Sequence, residues 1–443
     1  MASSASHGDG LSIERRGGVM NDLAIKPSLS SRIQVVRSAA GLEAWLIEDY
    51  TVPLIAMEIA MHGGSSQDPE GLPGTASFLA GLLDEGAGPY DSAAFHDRLD
   101  DYAIELGFSA SRDLITGHLR TLSKHRTEAF DMLRLALNEA RLDEEPVERV
   151  RAQMLASLRH EANDPDTKAN RTWFEKAFEG HAYARAVKGT FESIPKITRK
   201  DLLAYRDQIF SRETLKIAVV GAIDAATLAK ELDQIFANFP AKSKLSNIPV
   251  AQPKLIGTRT IVDLDIPQSS IRYGAPGLQQ SDPDFVTASV INHILGGGVF
   301  SSRLFREVRE KRGLAYSVFS QLAPLDHGPL HMGGTSTKNE RVAESLAIIE
   351  AEIKSLALDG PNDEELDIAK KYLIGSWPLR FDTSTKLANQ LVHMQVENLG
   401  LDYMERRNGL VAAVNRENAT RVAKRLYGTG EIFTVIVGRP VGV

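Results

Sequence analysis

Apolar positions along the chain recur at helical and strand spacings, and the same order of rhythms occurs twice. Val342, Leu346, Ile349, Ile353 and Leu356 are spaced four, three, four, three, the stripe of a helix with one buried face. The stripe breaks over residues 358–361, Leu-Asp-Gly-Pro, before another helical run. In the first half Phe130, Leu133 and Leu137 mark a helix that breaks around residues 142–146, ahead of a run containing Val150, Met154 and Leu158. Each half then closes with a helix and a strand. Residues 197–210 lead to Leu-Lys-Ile-Ala-Val-Val-Gly at 215–221, and residues 414–427 lead to Ile-Phe-Thr-Val-Ile-Val-Gly at 432–438. Without a gap this pairs Arg199 with Arg416, Phe210 with Tyr427 and Gly221 with Gly438, which predicts tandem copies.

Strand-like runs at 44–48 and 52–61 open the first copy, and runs at 260–266 and 271–274 open the second. Strands, then helices, then a returning strand predict an α+β protein of two homologous halves, with helices packed on one face of a mostly antiparallel sheet. Pro240, Pro249 and Pro253 punctuate a polar stretch read as an exposed linker over 241–254, so the halves are 32–240 and 255–443. Residues 1–31, rich in Ser and Gly, read as a disordered tail. Arg15 and Arg16 there have no apolar segment behind them, which favours the cytoplasm, or the periplasm if a signal has been removed.

Composition narrows the classes. With 43 % hydrophobic and 25 % charged residues over 443 positions, the chain has the profile of a multidomain globular protein. A net charge of −7 without a Lys/Arg run argues against nucleic acid, and no apolar run reaches the length of a membrane helix. There is no Cys, so only His, Asp or Glu could hold a metal.

Residues 63–74, Gly-Gly-Ser-Ser-Gln-Asp-Pro-Glu-Gly-Leu-Pro-Gly, followed by the helical run 75–88, resemble the zinc-site entry of the pitrilysin-like metallopeptidases. Active members of that family carry H-x-x-E-H on a helix, two His for zinc and a Glu as general base. Here the five positions are Ser77, Phe78, Leu79, Ala80 and Gly81, so both ligands and the base are missing. The family's third ligand, a Glu some seventy residues on, falls near Ser157, with Glu148 and Glu161 as neighbouring carboxylates. The eleven His are scattered; His327 and His331 come closest to ligand spacing, in a segment that reads as turn or strand.

Residues 295–318 look like the same family's second-half motif, in which an Arg late in a helix and a Tyr seven residues on contact substrate beside the zinc. These positions are Arg309 and Tyr316. Independently of the resemblance, Ser301 or Ser302 can cap a helix running to Lys311, Gly313 can end it in a left-handed turn, and a strand follows from Leu314. Arg309 and Tyr316 then lie on either side of one turn, a guanidinium fork and a phenol able to donate to peptide carbonyls or a developing oxyanion. The plainer alternatives are an Arg on a solvated face that also carries the i,i+4 pairs Arg306–Glu310 and Glu307–Lys311, and a core Tyr with a satisfied hydroxyl. Gly296, Gly297 and Gly298 follow a helical run rather than a strand, so they read as a point of close backbone approach, not a phosphate cradle.

The resemblance implies two α+β subdomains per half and the role of a zinc-less subunit of a heterodimeric zinc peptidase. Such a subunit holds no cofactor itself, pairs with a homologous H-x-x-E-H chain that carries the zinc, and presents Arg309 and Tyr316 to unfolded peptides. The alternatives are a structural core subunit and a peptide-binding module that does not cleave.

Overall fold

The computed structural model describes residues 29–298 and 300–443. Arg15, Arg16 and most of the expected tail lie outside them; Ser30–Arg32 form a 3-10 turn, and Leu29 and Ile33 pack against apolar core. No helix among the described residues is long and apolar enough to cross a membrane.

Two sheets organise the molecule. The first contains β1 (Gln34–Arg37), β2 (Glu43–Glu48), β3 (Leu54–His62), β4 (Glu105–Ala110), β5 (Leu114–Leu122) and β6 (Lys216–Gly221), in the order β1-β2-β6-β3-β5-β4. The second contains β7 (Arg259–Val262), β8 (Gln268–Pro276), β9 (Ala315–Ala323), β10 (Leu330–Lys338) and β11 (Phe433–Val437), in the order β7-β11-β8-β10-β9. Leaving out the extra edge strand β1, the orders are identical. In each, one parallel pair (β2 with β6, β7 with β11) joins an otherwise antiparallel sheet.

The repeat extends to single residues. Helices Arg199–Ile209 and Arg416–Tyr427, which precede β6 and β11, both begin with a capping box, Thr198 with Asp201 and Asn415 with Asn418. Gly221 and Gly438 end the closing strands at φ 144° and 145°. A Cβ on Gly221 would lie 2.1 Å from the Leu54 carbonyl oxygen, so only glycine fits there. The stripe Val342, Leu346, Ile349, Ile353 and Leu356 is buried along helix Val342–Asp359.

The helices depart from a one-faced arrangement. One face of the first sheet covers the large core that includes Phe78, Phe130 and Leu202. Its other face, with Trp45, Ile47, Ala56, Ala60 and Val220, packs against Leu387, Ala388, Leu391 and Val392 of helix Ser384–Val396, which belongs to the second half. Reciprocally, helix Pro165–Ala177 of the first half lays Trp173 and Phe174 on Leu330, Met332, Phe433 and Val435 of the second sheet. The Trp173 indole donates to the Phe433 carbonyl at 3.0 Å. Each half thus lends the other a helix, and both sheets are covered on both sides.

The α+β class and the two homologous halves stand as read from the sequence. The further division of each half into two subdomains does not: each half holds one sheet, because the segments 123–215 and 339–432 are helical throughout their regular structure. Between Phe236 and Arg259 there is no helix or strand, yet this stretch is fastened, with Lys244 N–H donating to the Gln208 carbonyl and Lys254 N–H to that of Ala177.

Candidate functional site

The helix that would carry the zinc motif is short, Thr75–Ala80, and its start is held from outside. Asp68, almost fully buried, accepts from the N–H groups of Gly74 (2.7 Å) and Ala76 (2.8 Å). Burial pushes its carboxyl up to about 7, against those hydrogen bonds and the nearby Arg185. At the motif positions the Ser77 hydroxyl donates to the Val187 carbonyl at 2.8 Å, Ala80 presents a buried methyl, and Gly81 has no side chain. These residues do not fit a zinc ion, which needs about three N, O or S donors converging on one point.

The position at which spacing puts the third ligand lies on helix Glu144–Glu161. Ser157 is exposed there and donates to Glu161, and two turns earlier on the same helix Val150 places its Cγ1 3.6 Å from where a Cβ on Gly81 would lie. Glu148 and Glu161 are engaged with Arg151 and Lys188.

The second-half pair is brought together. The helical segment before it is widened over Phe305–Glu310 to an i→i+5 pattern, a form often found at functional positions. Ser302 is buried and contributes only a long bond, 3.4 Å, from the Phe305 N–H. Gly313, at φ 58°, turns the chain; its N–H donates to the Arg309 carbonyl and the Leu314 N–H to that of Val308, each 2.9 Å. Both closing bonds span one residue more than in a standard Schellman end, in keeping with the wide helix. The guanidinium of Arg309 then sits 4.7 Å from the Tyr316 ring centroid and 4.9 Å from that of Phe305.

Tyr316 is not a core residue, and Arg309 is half-buried. Tyr316 is 82 % exposed, and its hydroxyl has no hydrogen bond among the described residues. Arg309 has no carboxylate partner there, although Glu307–Lys311 forms (2.6 Å) and Arg306 reaches Glu365 rather than Glu310. Close approach explains the glycine triplet: a Cβ on Gly296 would lie 2.7 Å from the Ser320 nitrogen, so the glycine lets the end of the preceding helix rest on β9.

Arg309 and Tyr316 line a cavity of about 810 Å³ that sequence reasoning did not find. One wall is β9, the outer strand of its sheet, contributing Ser317 to Leu322; the other brings Trp377 and Arg380 from the turn Trp377–Phe381, and Tyr403 and Arg407 from helix Tyr403–Ala412. The Arg407 guanidinium lies 4.4 Å from the Trp377 ring, whose indole N–H donates to the Met404 carbonyl at 3.2 Å. No local sequence signal marks these four residues, because the fold alone puts them opposite residues 309–316.

His327 and His331 do not share a site. His331 is fully buried in β10 beside Tyr273 and Tyr427, and burial pulls its imidazole down to about 4. His327 and Asp326 lie in the β9–β10 turn and meet Asp113 of the β4–β5 turn, the one grouping with metal-ligand spacing among the described residues. There Asp113 already accepts from the Tyr183 hydroxyl at 2.7 Å, and Asp326 is paired with His62 at 3.1 Å.

Two sheets of one topology, each holding a helix of the other half, with zinc-motif positions in the first half that carry no ligand side chain and an Arg–Tyr pair in the second, define a duplicated peptidase scaffold. Comparison with known proteins agrees. Residues 45–190 match the family described as insulinase (peptidase family M16), and residues 196–373 match the peptidase M16 inactive domain. A Helicobacter pylori protein named non-peptidase homolog YmxG is 29 % identical over 77 % of this chain and 79 % of its own. A Bacillus subtilis protein named uncharacterized zinc protease YmxG is 23 % identical over 87 % and 94 %. The crystal structure of a peptidase M16 inactive domain from Pseudomonas fluorescens has a TM-score of 0.87 at 27 % identity, covering 92 % of this chain and 98 % of that one. The chain belongs to the M16 peptidase family, as a non-catalytic member.

Proposed function

We propose that this chain is the zinc-less subunit of a two-chain zinc peptidase, lending Arg309 and Tyr316 to peptide hydrolysis at a zinc held by a homologous H-x-x-E-H chain. The observation that carries this reading is the pair itself: an exposed phenol and a guanidinium without a carboxylate partner, fixed against each other at the mouth of a cavity. A scaffold subunit has no need of such a pair. The relatives point the same way, one being named a non-peptidase homolog and others zinc proteases. In this role Tyr316 donates its hydroxyl to the oxygen that gains charge as the scissile carbonyl becomes tetrahedral. Arg309 uses its planar fork on neighbouring substrate carbonyls, and the peptide lies extended beside β9.

The test is reconstitution. This chain and a homologous H-x-x-E-H chain are purified apart, mixed, and followed by size exclusion and by cleavage of an unfolded peptide. A stable complex that cleaves far faster than either chain alone is expected. Chelator-sensitive cleavage by this chain alone contradicts the reading, and a complex no more active than the partner alone makes the chain a scaffold.

A further inference from the structure

The cavity beside Arg309 has a charge pattern unlike the rest of the molecule. Asp and Glu make up 58 of the 443 residues and outnumber Lys and Arg, yet no Asp or Glu lines this cavity, while Arg309, Arg380 and Arg407 all do. None of the three has a carboxylate partner among the described residues. Arg407 donates to the Leu373 carbonyl (2.7 Å) and to Asn408 (3.1 Å), and the Arg380 and Arg309 guanidiniums rest only against aromatic rings. Arg380 and Arg407 share one ring, their guanidiniums 5.8 and 4.4 Å from the Trp377 centroid. Two like charges held over one indole repel each other unless an anion comes between them. Opposite them runs β9, paired on one side with β10 and exposing Tyr316, Ser317, Phe319 and Gln321.

We infer that this cavity selects extended peptides that carry an acidic residue, seating an Asp or Glu side chain between Arg380 and Arg407 while the peptide main chain follows β9. The inference gives a substrate class to the Arg309–Tyr316 reading, on which it rests for its catalytic meaning alone. The chemistry is charge complementarity. A carboxylate takes paired N–H donors from a guanidinium in bidentate geometry, and the aromatic floor keeps those donors oriented. Trp377, Phe305 and Phe319 receive the apolar neighbours of the acid.

Binding is measured on the full chain alone, so the result does not depend on a partner. The probes are fluorescein-labelled nonapeptides of Ala, Thr and Val with a C-terminal amide, carrying Glu, Gln or Lys at the centre, followed by anisotropy. The Glu peptide should bind at least about tenfold more tightly than the Gln peptide, the range for losing a charge-assisted pair, and the Lys peptide more weakly still. Arg380→Gln should abolish the preference. Arg380 makes no hydrogen bond within the described residues, so this variant should keep the parent melting temperature. Arg407→Lys, which keeps the charge but loses the fork, should reduce it.

Equal affinity for Glu and Gln peptides, no measurable binding of any, or a preference that survives Arg380→Gln would overturn the inference. A Gln peptide with a free C-terminus that binds as well as the amidated Glu peptide assigns the site to a chain end, and likewise refutes it. Cleavage in the reconstituted complex is a separate matter. Acid-selective binding without cleavage keeps this site and removes the catalytic role of the pair; cleavage without acid selectivity does the reverse.

Discussion

Arg309 and Tyr316 are seven residues apart and meet because a left-handed glycine folds a strand back against the end of a helix. If Tyr316 donates to the developing oxyanion, Tyr316→Phe should lower turnover of the assembled complex by about 10² to 10³, with KM changing much less. Arg309→Lys keeps the charge but not the planar fork, so a clear loss from that mild change marks an anchoring role. Normal assembly with wild-type rates in both variants would make the pair structural. The emptied motif gives a second expectation: the purified, tag-free chain should contain less than one zinc per ten chains by elemental analysis. One tightly held zinc per chain would refute the assignment of Ser77, Ala80 and Gly81 as non-ligands. The pair was legible in the sequence because a helix end, a glycine and a strand are local matters. Arg380 and Arg407 were not, since their neighbours are decided by how distant helices pack.

At the level of elements, periodicity located the helices and closing strands well, and the ungapped match of 197–221 with 414–438 predicted the duplicated topology. What it could not show is which sheet a helix covers. Helix Ser384–Val396 has one apolar face, as an ordinary surface helix has, and nothing in that face says the sheet beneath belongs to the other half. Leu391 is fully buried at this contact, so Leu391→Ala should cost about 2 to 5 kcal/mol in urea unfolding, well beyond the effect of a surface change. The same contact holds an unusual acid. Glu58 lies between Ala56 and Ala60 on the face of β3 turned to this helix, has no ion pair or hydrogen bond among the described residues, and is pushed by burial up to about 7. Between its ordinary value of 4.5 and about 7, the folded chain keeps a proton that the unfolded chain has released. The site therefore weakens the fold as pH rises through that window, by up to about 3 kcal/mol. Glu58→Gln should flatten the pH dependence, becoming more stable relative to the parent at pH 8 than at pH 4.5; parallel melting curves across that range would count against this.

Across the whole molecule, the linker does less to join the halves than the two exchanged helices do. A single protease cut within residues 241–254 should leave both pieces travelling together on size exclusion, and the halves expressed as separate chains should be soluble only when mixed. Fragments that part readily after the cut would show that the exchanged contacts are too weak for this role. The exchange also bears on how the protein is made. The last strand of the first sheet ends at Gly221, but the helix that covers its second face is complete only at Val396, about 175 residues later. At roughly 5 to 20 residues per second, Trp45, Ile47 and Val220 face water on the nascent chain for about 10 to 35 s. That is long enough for sticking to other nascent chains to compete with folding, so a cell translating this message at high rate should yield aggregates that slower translation, or more chaperone, relieves.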